Sequence, residues 1–277
     1  MLLVFGALGA LLSALFCALS AVRGWPLLPL FLALLAASFL AIIVLYVLGL
    51  LIISFFLRSK KPMEKDHPIV RFFLVETLRA LCTVSRVKVR VEGAETLPEG
   101  RFLFVSNHRS LYDGIVALAA FRKIPMAFIA KPGILGAPLI GNFARYCGFL
   151  PIDREDARSA IRTINAAADL MKRDLCSVGI YPEGTRNRAH TPGEVLPTLL
   201  PFHDGVLMIA QKAKVPVAVV ATRGTAAISH NFPFRRSRVT LTVCGVLPAE
   251  EVTSTRTSAL SERICAILEE ALTDPNT

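Results

Sequence analysis

A histidine and an aspartate stand five positions apart in the segment 107–113, as His108 and Asp113. The segment follows four consecutive apolar residues, 102–105, which predict a strand covered on both faces. Open α/β sheets bind their ligands where such strands end. A carboxylate beside a histidine fixes the imidazole tautomer and stabilises its charged form, so that the ring can take a proton from an alcohol near neutral pH. The pair therefore indicates general-base chemistry, with His108 as the base.

A second role is open for Asp113. The spacing Ser110-x-x-Asp113 is close to a capping box, in which the carboxylate bonds only the start of the following helix, and the residues 115–121 look helical. His108 is flanked by polar residues, including Asn107 and Ser110, rather than set on an apolar face. That setting favours a functional histidine over a buried structural one.

Two further polar segments follow apolar runs. In the segment 181–188, Gly184 lets the backbone approach a ligand closely, Arg186 can hold a phosphate by a bidentate fork, and Thr185 adds a hydroxyl donor. A solvated turn is the alternative for this segment. In the segment 149–154, Arg154 stands at another strand-like end.

The three segments together resemble the PlsC-type glycerolipid acyltransferase family. Its hallmarks are NHxxxxD, then an IDR-like run, then EGTR. They stand here as Asn107-His108-(x)4-Asp113, Ile152-Asp153-Arg154 and Glu183-Gly184-Thr185-Arg186, and the resemblance runs from about residue 70 to residue 246. It implies a 1-acylglycerol-3-phosphate O-acyltransferase, which is a lysophosphatidic acid acyltransferase that forms phosphatidic acid in phospholipid biosynthesis.

The resemblance also implies roles for single residues. His108 would deprotonate the glycerol hydroxyl for direct attack on an acyl thioester, and Asp113 would orient His108, with Asn107 and Ser110 in support. The acyl donor would be acyl-CoA or acyl carrier protein, with no cofactor and no metal. The phosphate of the acceptor would be gripped by cations and by the EGTR block, namely Lys131, Arg154, Glu183, Gly184, Thr185 and Arg186.

Two departures from the family pattern keep other acceptors open. Many members carry Phe-Lys-x-Gly where this chain has Phe202-His203-Asp204-Gly205, and Ala218 replaces the second proline of a VPIVPV-like strand. Another lysolipid, such as a lysophospholipid or a lyso-ornithine lipid, is therefore the rival acceptor. A non-catalytic membrane protein that binds anionic lipid is the rival from a different class. A serine hydrolase is not favoured, since no GxSxG sequence occurs.

Alternating strands and helices must position these residues. Strand patterns occupy 87–92, 102–105, 178–181 and 215–221, and helical patterns occupy 156–172, 205–214 and 260–271. The alternation predicts an α/β fold with a mixed, mostly parallel sheet flanked by helices. Residues 238–246 are expected to add an antiparallel strand.

The first 57 residues predict a separate membrane segment. They carry no acid and one base, Arg23, and contain two apolar runs, 1–22 and 27–57, each longer than the roughly 20 residues that cross a bilayer. We expect residues 1–57 to form membrane-spanning or membrane-embedded helices, and residues 58–277 to form the acyltransferase domain. A cleaved signal peptide and a helix pair lying in the interface are the alternatives. The bases Arg58, Lys60 and Lys61 predict a domain on the cytoplasmic face, most simply of a bacterial inner membrane.

Composition narrows the classes of function. The chain has 31 Lys and Arg against 21 Asp and Glu, and 53% of its residues are hydrophobic, which excludes a disordered chain. The net charge of +10 suits anionic lipid and phosphate, whereas no nucleic-acid-binding module is present. Six cysteines without a CxxC pair predict free thiols in a reducing compartment and no metal site. The oligomeric state does not follow from the sequence.

Overall fold

The computed structural model describes residues 2–19, 27–57, 63–137, 140–153, 156–188 and 196–273. By its internal contacts the chain divides into two units, Met1–Arg58 and Ser59–Thr277. Two sequence predictions, the basic cluster 58–61 and the phosphate contact of Arg154, lie outside the described residues.

The first unit is a pair of apolar helices, α1 (Leu2–Leu19) and α2 (Leu27–Phe56), as the sequence predicted. Small residues let the two backbones approach. An added Cβ on Gly9 would lie 3.6 Å from the backbone nitrogen of Phe39, and the hydroxyls of Ser13 and Ser38 are 3.4 Å apart. Within the described residues, one helix is long and apolar enough to cross a membrane, Leu28–Phe56, with a mean hydropathy of 3.0. The apolar part of α1, Val4–Ala18, is shorter.

Strands and helices alternate through the second unit. The strands are β1 (Val87–Glu92), β2 (Leu103–Ser106), β3 (Met126–Ala130), β4 (Leu150–Pro151), β5 (Ser177–Ile180), β6 (Val217–Arg223) and β7 (Ser237–Leu247). The helices are α3 (Pro68–Val84), α4 (Tyr112–Ala120), α5 (Pro132–Leu135), α6 (Ile140–Tyr146), α7 (Ala157–Lys172), α8 (Met208–Ala213), α9 (Ile228–Asn231), α10 (Ala249–Ser254) and α11 (Thr257–Thr273). Short 3-10 turns occupy Ala94–Thr96, Asp204–Leu207 and Thr225–Ala227.

The strands form one mixed, mostly parallel sheet in the order β1-β7-β6-β2-β5-β3-β4. The five strands from β6 to β4 are parallel, whereas β7 is antiparallel to β6 and parallel to β1. The predicted fold class and the predicted antiparallel strand are therefore confirmed. The ends of β2, β3, β5 and β6 meet at one edge of the sheet, called the carboxyl edge below, and β7 begins there.

The core lies on both faces of this sheet. Leu103 and Val105 of β2 are fully buried in a cluster that α7, α8 and α11 cover. Phe104 points to the other face and makes an edge contact with Phe121, at the end of α4, at a centroid distance of 6.0 Å. Apolar side chains on both faces explain why β2 has a continuous apolar run rather than an alternating one.

Two helices differ in detail from their patterns. In α7, Asp156 caps the helix by accepting from the Arg158 N–H at 2.9 Å, but Ile161, an apolar residue of the helical pattern 156–172, is 56% exposed. The buried stripe is centred nearer Ala167, so Ile161 falls beyond its edge. The pattern at 205–214 is divided between a 3-10 turn and α8, and the helix after β2 begins at Tyr112 rather than at residue 115.

Candidate active site

His108 and Asp113 meet at the carboxyl edge of the sheet. His108 follows β2 directly, and Asp113 lies in the first turn of α4. The imidazole Nδ1 is 2.8 Å from Asp113 Oδ2. The aspartate side chain is fully buried, while the histidine side chain keeps 20% of its surface exposed. The structure thus brings together the two residues whose spacing suggested a base and its orienting partner.

Asp113 also caps α4, so both of its expected roles are met by one oxygen. Asp113 Oδ2 accepts from the backbone N–H groups of Arg109 at 2.7 Å and Ser110 at 2.8 Å, and the Ser110 hydroxyl accepts from the Tyr112 N–H at 3.2 Å. The cap holds the carboxylate rigid where the imidazole needs it. With Nδ1 donating to Asp113, the unprotonated Nε2 is the ring nitrogen left for a substrate.

The backbone of His108 is held on both sides by the segment 181–188. Its N–H donates to Glu183 Oε1 at 2.6 Å, and its carbonyl accepts from the Asn187 N–H at 2.7 Å. The second Glu183 oxygen accepts from the Leu200 N–H at 2.9 Å. Polar residues of the distant segment 181–188 therefore fix the position of the candidate base.

Glu183 is placed differently from its sequence-based assignment to the phosphate site. Its side chain is buried, and both carboxylate oxygens are taken by backbone N–H groups. Burial raises the pKa of Glu183, although the two backbone hydrogen bonds act in the opposite direction. A buried carboxylate would repel a phosphate. The geometry indicates that Glu183 positions His108 instead.

Asn107 joins the ends of two strands. Its Nδ2 donates to the Thr222 carbonyl at 2.9 Å, and its Oδ1 accepts from the Thr222 N–H at 2.8 Å. The hydroxyls of Ser106 and Thr222 lie 2.9 Å apart beside this pair. These bonds tie β2 to β6 one residue before His108, which is a supporting position.

Tyr181 supports the imidazole from its face. The two rings are stacked at a centroid distance of 4.3 Å with an interplanar angle of 16°, and Tyr181 stacks in turn on Phe128 at 5.4 Å and 11°. Gly179 makes room for this column, since an added Cβ would lie 2.4 Å from the Phe128 ring. Burial raises the pKa of Tyr181 well above its ordinary value, and the hydroxyl has no hydrogen-bond partner among the described residues.

His108 lines a large cavity of about 1100 Å³. Much of its wall is apolar, from side chains such as Leu74, Leu78, Leu118 and Phe128. A cavity of this size and character suits an acyl chain. Its polar lining comes from residues at the ends of strands and in the following segments, namely Lys131, Gly184, Thr185, Arg186, Arg188, His203 and Asp204.

The cavity brings together most of the residues expected to contact phosphate. Lys131, Thr185 and Arg186 line it, and Gly184 adopts a φ of 74°, which glycine takes without strain. No role was predicted from sequence for Arg188 or Tyr181. Arg188 lies two residues after the EGTR block, and Tyr181 lies two residues before it. Position beside these motifs was the available signal.

The described residues hold no group of three or more His, Cys, Asp and Glu side chains arranged around a metal ion. The six cysteines are free thiols, and four are buried. Burial raises the pKa of Cys147 to about 12. Such a thiol is a poor nucleophile, so Cys147 does not compete with His108 as the reactive group.

Comparisons with known proteins identify relatives of this chain. Residues 88–223 match the family described as Acyltransferase. The chain is 30% identical to the chloroplastic 1-acyl-sn-glycerol-3-phosphate acyltransferase BAT2 of Brassica napus, over 69% of this chain and 51% of that protein. It is 26% identical to the 1-acyl-sn-glycerol-3-phosphate acyltransferase of Saccharomyces cerevisiae, over 64% of this chain and 57% of that protein. It is 30% identical to the 1-acyl-sn-glycerol-3-phosphate acyltransferase of Salmonella typhimurium, over 55% of this chain and 58% of that protein.

The chain spans about half the length of the curated relatives it matches. Among solved structures, the 1-acyl-sn-glycerophosphate acyltransferase PlsC of Thermotoga maritima matches with a TM-score of 0.56 and 24% identity, over 81% of this chain and 86% of that chain. This likeness supports the fold.

Proposed function

Residues 88–223 make this chain a member of the acyltransferase family, and we propose that it transfers a fatty acyl group to the sn-2 hydroxyl of 1-acylglycerol 3-phosphate, forming phosphatidic acid. The observation that carries the proposal is the His108–Asp113 pair, bonded at 2.8 Å and opening on a cavity of about 1100 Å³ with both apolar and cationic lining. Relatives named for this reaction support the choice of acceptor.

His108 acts as the general base. Its Nε2 takes the proton of the acceptor hydroxyl while the hydroxyl oxygen attacks the carbonyl carbon of the thioester. Asp113 stabilises the imidazolium that forms. When the tetrahedral intermediate collapses, the carbon–sulfur bond breaks, and the leaving thiolate takes the proton back from Nε2. The acyl group thus passes directly to the acceptor, with no acyl-enzyme intermediate.

The cations in the cavity lining bind the acceptor phosphate. Arg186 and Lys131 supply charge, Thr185 supplies a hydroxyl, and Gly184 lets the backbone come close. Glu183 has its two oxygens on backbone N–H groups and acts through His108. The acyl donor is acyl-CoA or acyl carrier protein, and the reaction as proposed needs no cofactor.

One feature favours a second acceptor. His203 lines the cavity at the position where many family members carry a lysine, and Asp204 lines it beside His203. An acidic side chain there suits an acceptor whose headgroup carries a cation beside its anion, such as lysophosphatidylcholine or a lyso-ornithine lipid. The proton transfer by His108 is the same for either acceptor.

We place the acyltransferase domain on the cytoplasmic face of a membrane. The long apolar helix α2 supports membrane association, and the bases of 58–61 support this orientation. The match to a Salmonella enzyme is compatible with a bacterial inner membrane. The lipid acceptor would then be taken from the bilayer itself.

The test is an acyl-transfer assay with the full chain in detergent or vesicles. Labelled acyl-CoA or acylated carrier protein is offered with lysophosphatidic acid, lysophosphatidylcholine, a lyso-ornithine lipid or no acceptor. Turnover with lysophosphatidic acid alone supports the proposal, and preference for either of the other lipids moves the acceptor to the second candidate. Folded protein that is silent with every pair would favour the alternative of a lipid-binding membrane protein.

A further inference from the structure

A short loop outside the cavity carries the most exposed large apolar side chain of the described residues. Residues 232–236, Phe-Pro-Phe-Arg-Arg, connect α9 to β7 and are all exposed. Phe234 is 86% exposed and Phe232 is 46% exposed. We call this segment the aromatic-basic loop. Exposing two phenylalanine rings to water costs free energy, and burying them against an apolar partner would recover it.

The aromatic-basic loop is held in place by its own backbone. The Phe232 N–H donates to the Ile228 carbonyl at 3.0 Å, and the Arg235 N–H donates to the Asn231 carbonyl at 2.7 Å. Ile228, at the base of the loop, is fully buried. The phenyl rings are therefore presented by an anchored segment.

The surroundings of the loop are strongly positive. From residue 223, at the end of β6, to residue 249 the chain contains no Asp or Glu and four Arg. Arg235 and Arg236 are exposed, and neither forms an ion pair with an acidic side chain of the described residues. Arg86, also exposed, lies beside them, because its carbonyl accepts from the Ser237 N–H at 3.2 Å.

The loop lies at the edge of the sheet where His108 lies. β6 runs parallel to β2, and Asn107 bonds to Thr222 near the end of β6, so the connection from β6 to β7 starts beside the active site. Leu111, 58% exposed, follows His108 on the same edge. Apolar and cationic side chains therefore share the edge at which the candidate base stands.

We propose that the aromatic-basic loop is a membrane-docking element that inserts Phe232 and Phe234 to the boundary between headgroups and acyl chains of an anionic bilayer, with Arg235, Arg236 and Arg86 on the lipid phosphates. Phenylalanine beside arginine is the composition of interfacial membrane segments. A charged, acidic protein surface would pair with the arginines but would leave the ring of Phe234, which is 86% exposed, without an apolar partner. The docking of this loop does not depend on what the chain catalyses. The role of the docking, which is to bring the cavity to the lipid acceptor, rests on the proposed function.

The test places a fluorescent reporter on the loop of the full chain. The sequence has one tryptophan, so a Trp25→Phe, Phe234→Trp chain reports from residue 234 alone. It is reconstituted in phosphatidylcholine vesicles with or without phosphatidylglycerol, and with brominated phosphatidylcholine as a quencher in the acyl region. We expect bromolipid to quench the emission, to a greater extent in the anionic vesicles, and acrylamide to quench it weakly.

A matched control carries the tryptophan at the other edge of the sheet. Lys123, exposed between α4 and β3, is changed to tryptophan in the same Trp25→Phe background, and this reporter should respond to acrylamide and not to bromolipid. Arg235→Gln with Arg236→Gln should remove the dependence on phosphatidylglycerol. The proposal is overturned if residue 234 behaves like residue 123, or if its emission responds to acyl carrier protein and not to bromolipid. Because fluorescence needs no turnover, an inactive but quenched protein would leave the docking intact and refute only the proposed function.

Discussion

Replacing Glu183 by glutamine should lower the turnover number while leaving the KM for the acceptor nearly unchanged. The carboxylate accepts the backbone N–H of His108 at 2.6 Å and that of Leu200 at 2.9 Å. A glutamine of the same shape has one acceptor oxygen and one NH₂ group. It can keep one of these bonds, and its NH₂ must then face the other N–H, donor against donor.

The size of the effect follows from that mismatch. A buried N–H left without a partner costs about 1–3 kcal/mol, and glutamine recovers part of this by removing a charge that burial disfavours. We expect a net loss of about 1–2 kcal/mol in the free energy of unfolding. A shift of the His108 backbone by about 1 Å can reduce the rate up to about 100-fold, so we expect kcat to fall about 10- to 100-fold.

The stability difference should also depend on pH. Because burial raises the pKa of Glu183, the folded chain holds this proton more tightly than the unfolded chain does. The stability that this group contributes is fully present below its ordinary value of 4.5 and is lost as the pH rises through the raised value. Glutamine does not titrate, so the advantage of the native chain over Glu183→Gln should grow as the pH falls from neutral.

The assays are steady-state acyl transfer and thermal unfolding in the same detergent, with Glu262→Gln on the exposed face of α11 as the matched control. The reasoning is refuted if Glu183→Gln keeps the native kcat, or if its main effect is a changed KM for the acceptor. The second result would mean that the carboxylate contacts the substrate after all.

Three further substitutions separate the roles of neighbouring residues. Asp113→Asn keeps a carbonyl to cap α4 but loses the charge that stabilises the imidazolium. We therefore expect kcat to fall about 10²- to 10⁴-fold with little change in melting temperature. A lower melting temperature with a normal rate would mean that Asp113 only caps the helix. Arg186→Ala should raise the acceptor KM about tenfold or more at similar kcat, whereas Arg122→Ala, outside the cavity lining, should not; equal KM values would remove Arg186 from the phosphate site. Tyr181→Phe keeps the stack on His108 and removes an unpartnered buried hydroxyl, so kcat and melting temperature should hold or rise, and a large loss in kcat would show that the hydroxyl acts.

The local part of the site could be predicted from sequence. His108 and Asp113 are joined by one strand–turn–helix segment, and spacing in such a segment limits the geometry. The continuous apolar run of β2 predicted a strand inside a parallel sheet, which the sheet order confirms. The capping box and the histidine–carboxylate contact looked like alternatives, but one oxygen makes both sets of bonds.

Contacts between distant segments could not be predicted. The EGTR motif gave the residue type at Glu183, but not that its oxygens would be used by His108 and Leu200, because those donors are brought close only by the sheet. The stack of Tyr181 on His108 depends in the same way on β2 lying next to β5. Ile161 is exposed because the buried stripe of α7 is centred away from it. A helical pattern in the sequence gives the position of such a stripe only roughly.

The most direct test of the account is the rate of acyl transfer by His108→Ala, measured with labelled acyl thioester and the acceptor that the native chain prefers, on protein shown to keep the native melting temperature. The account predicts transfer at the level of the uncatalysed background, with binding of the lipid acceptor retained, because Nε2 of His108 is the group that takes the hydroxyl proton. Transfer by His108→Ala at a rate near that of the native chain would contradict it.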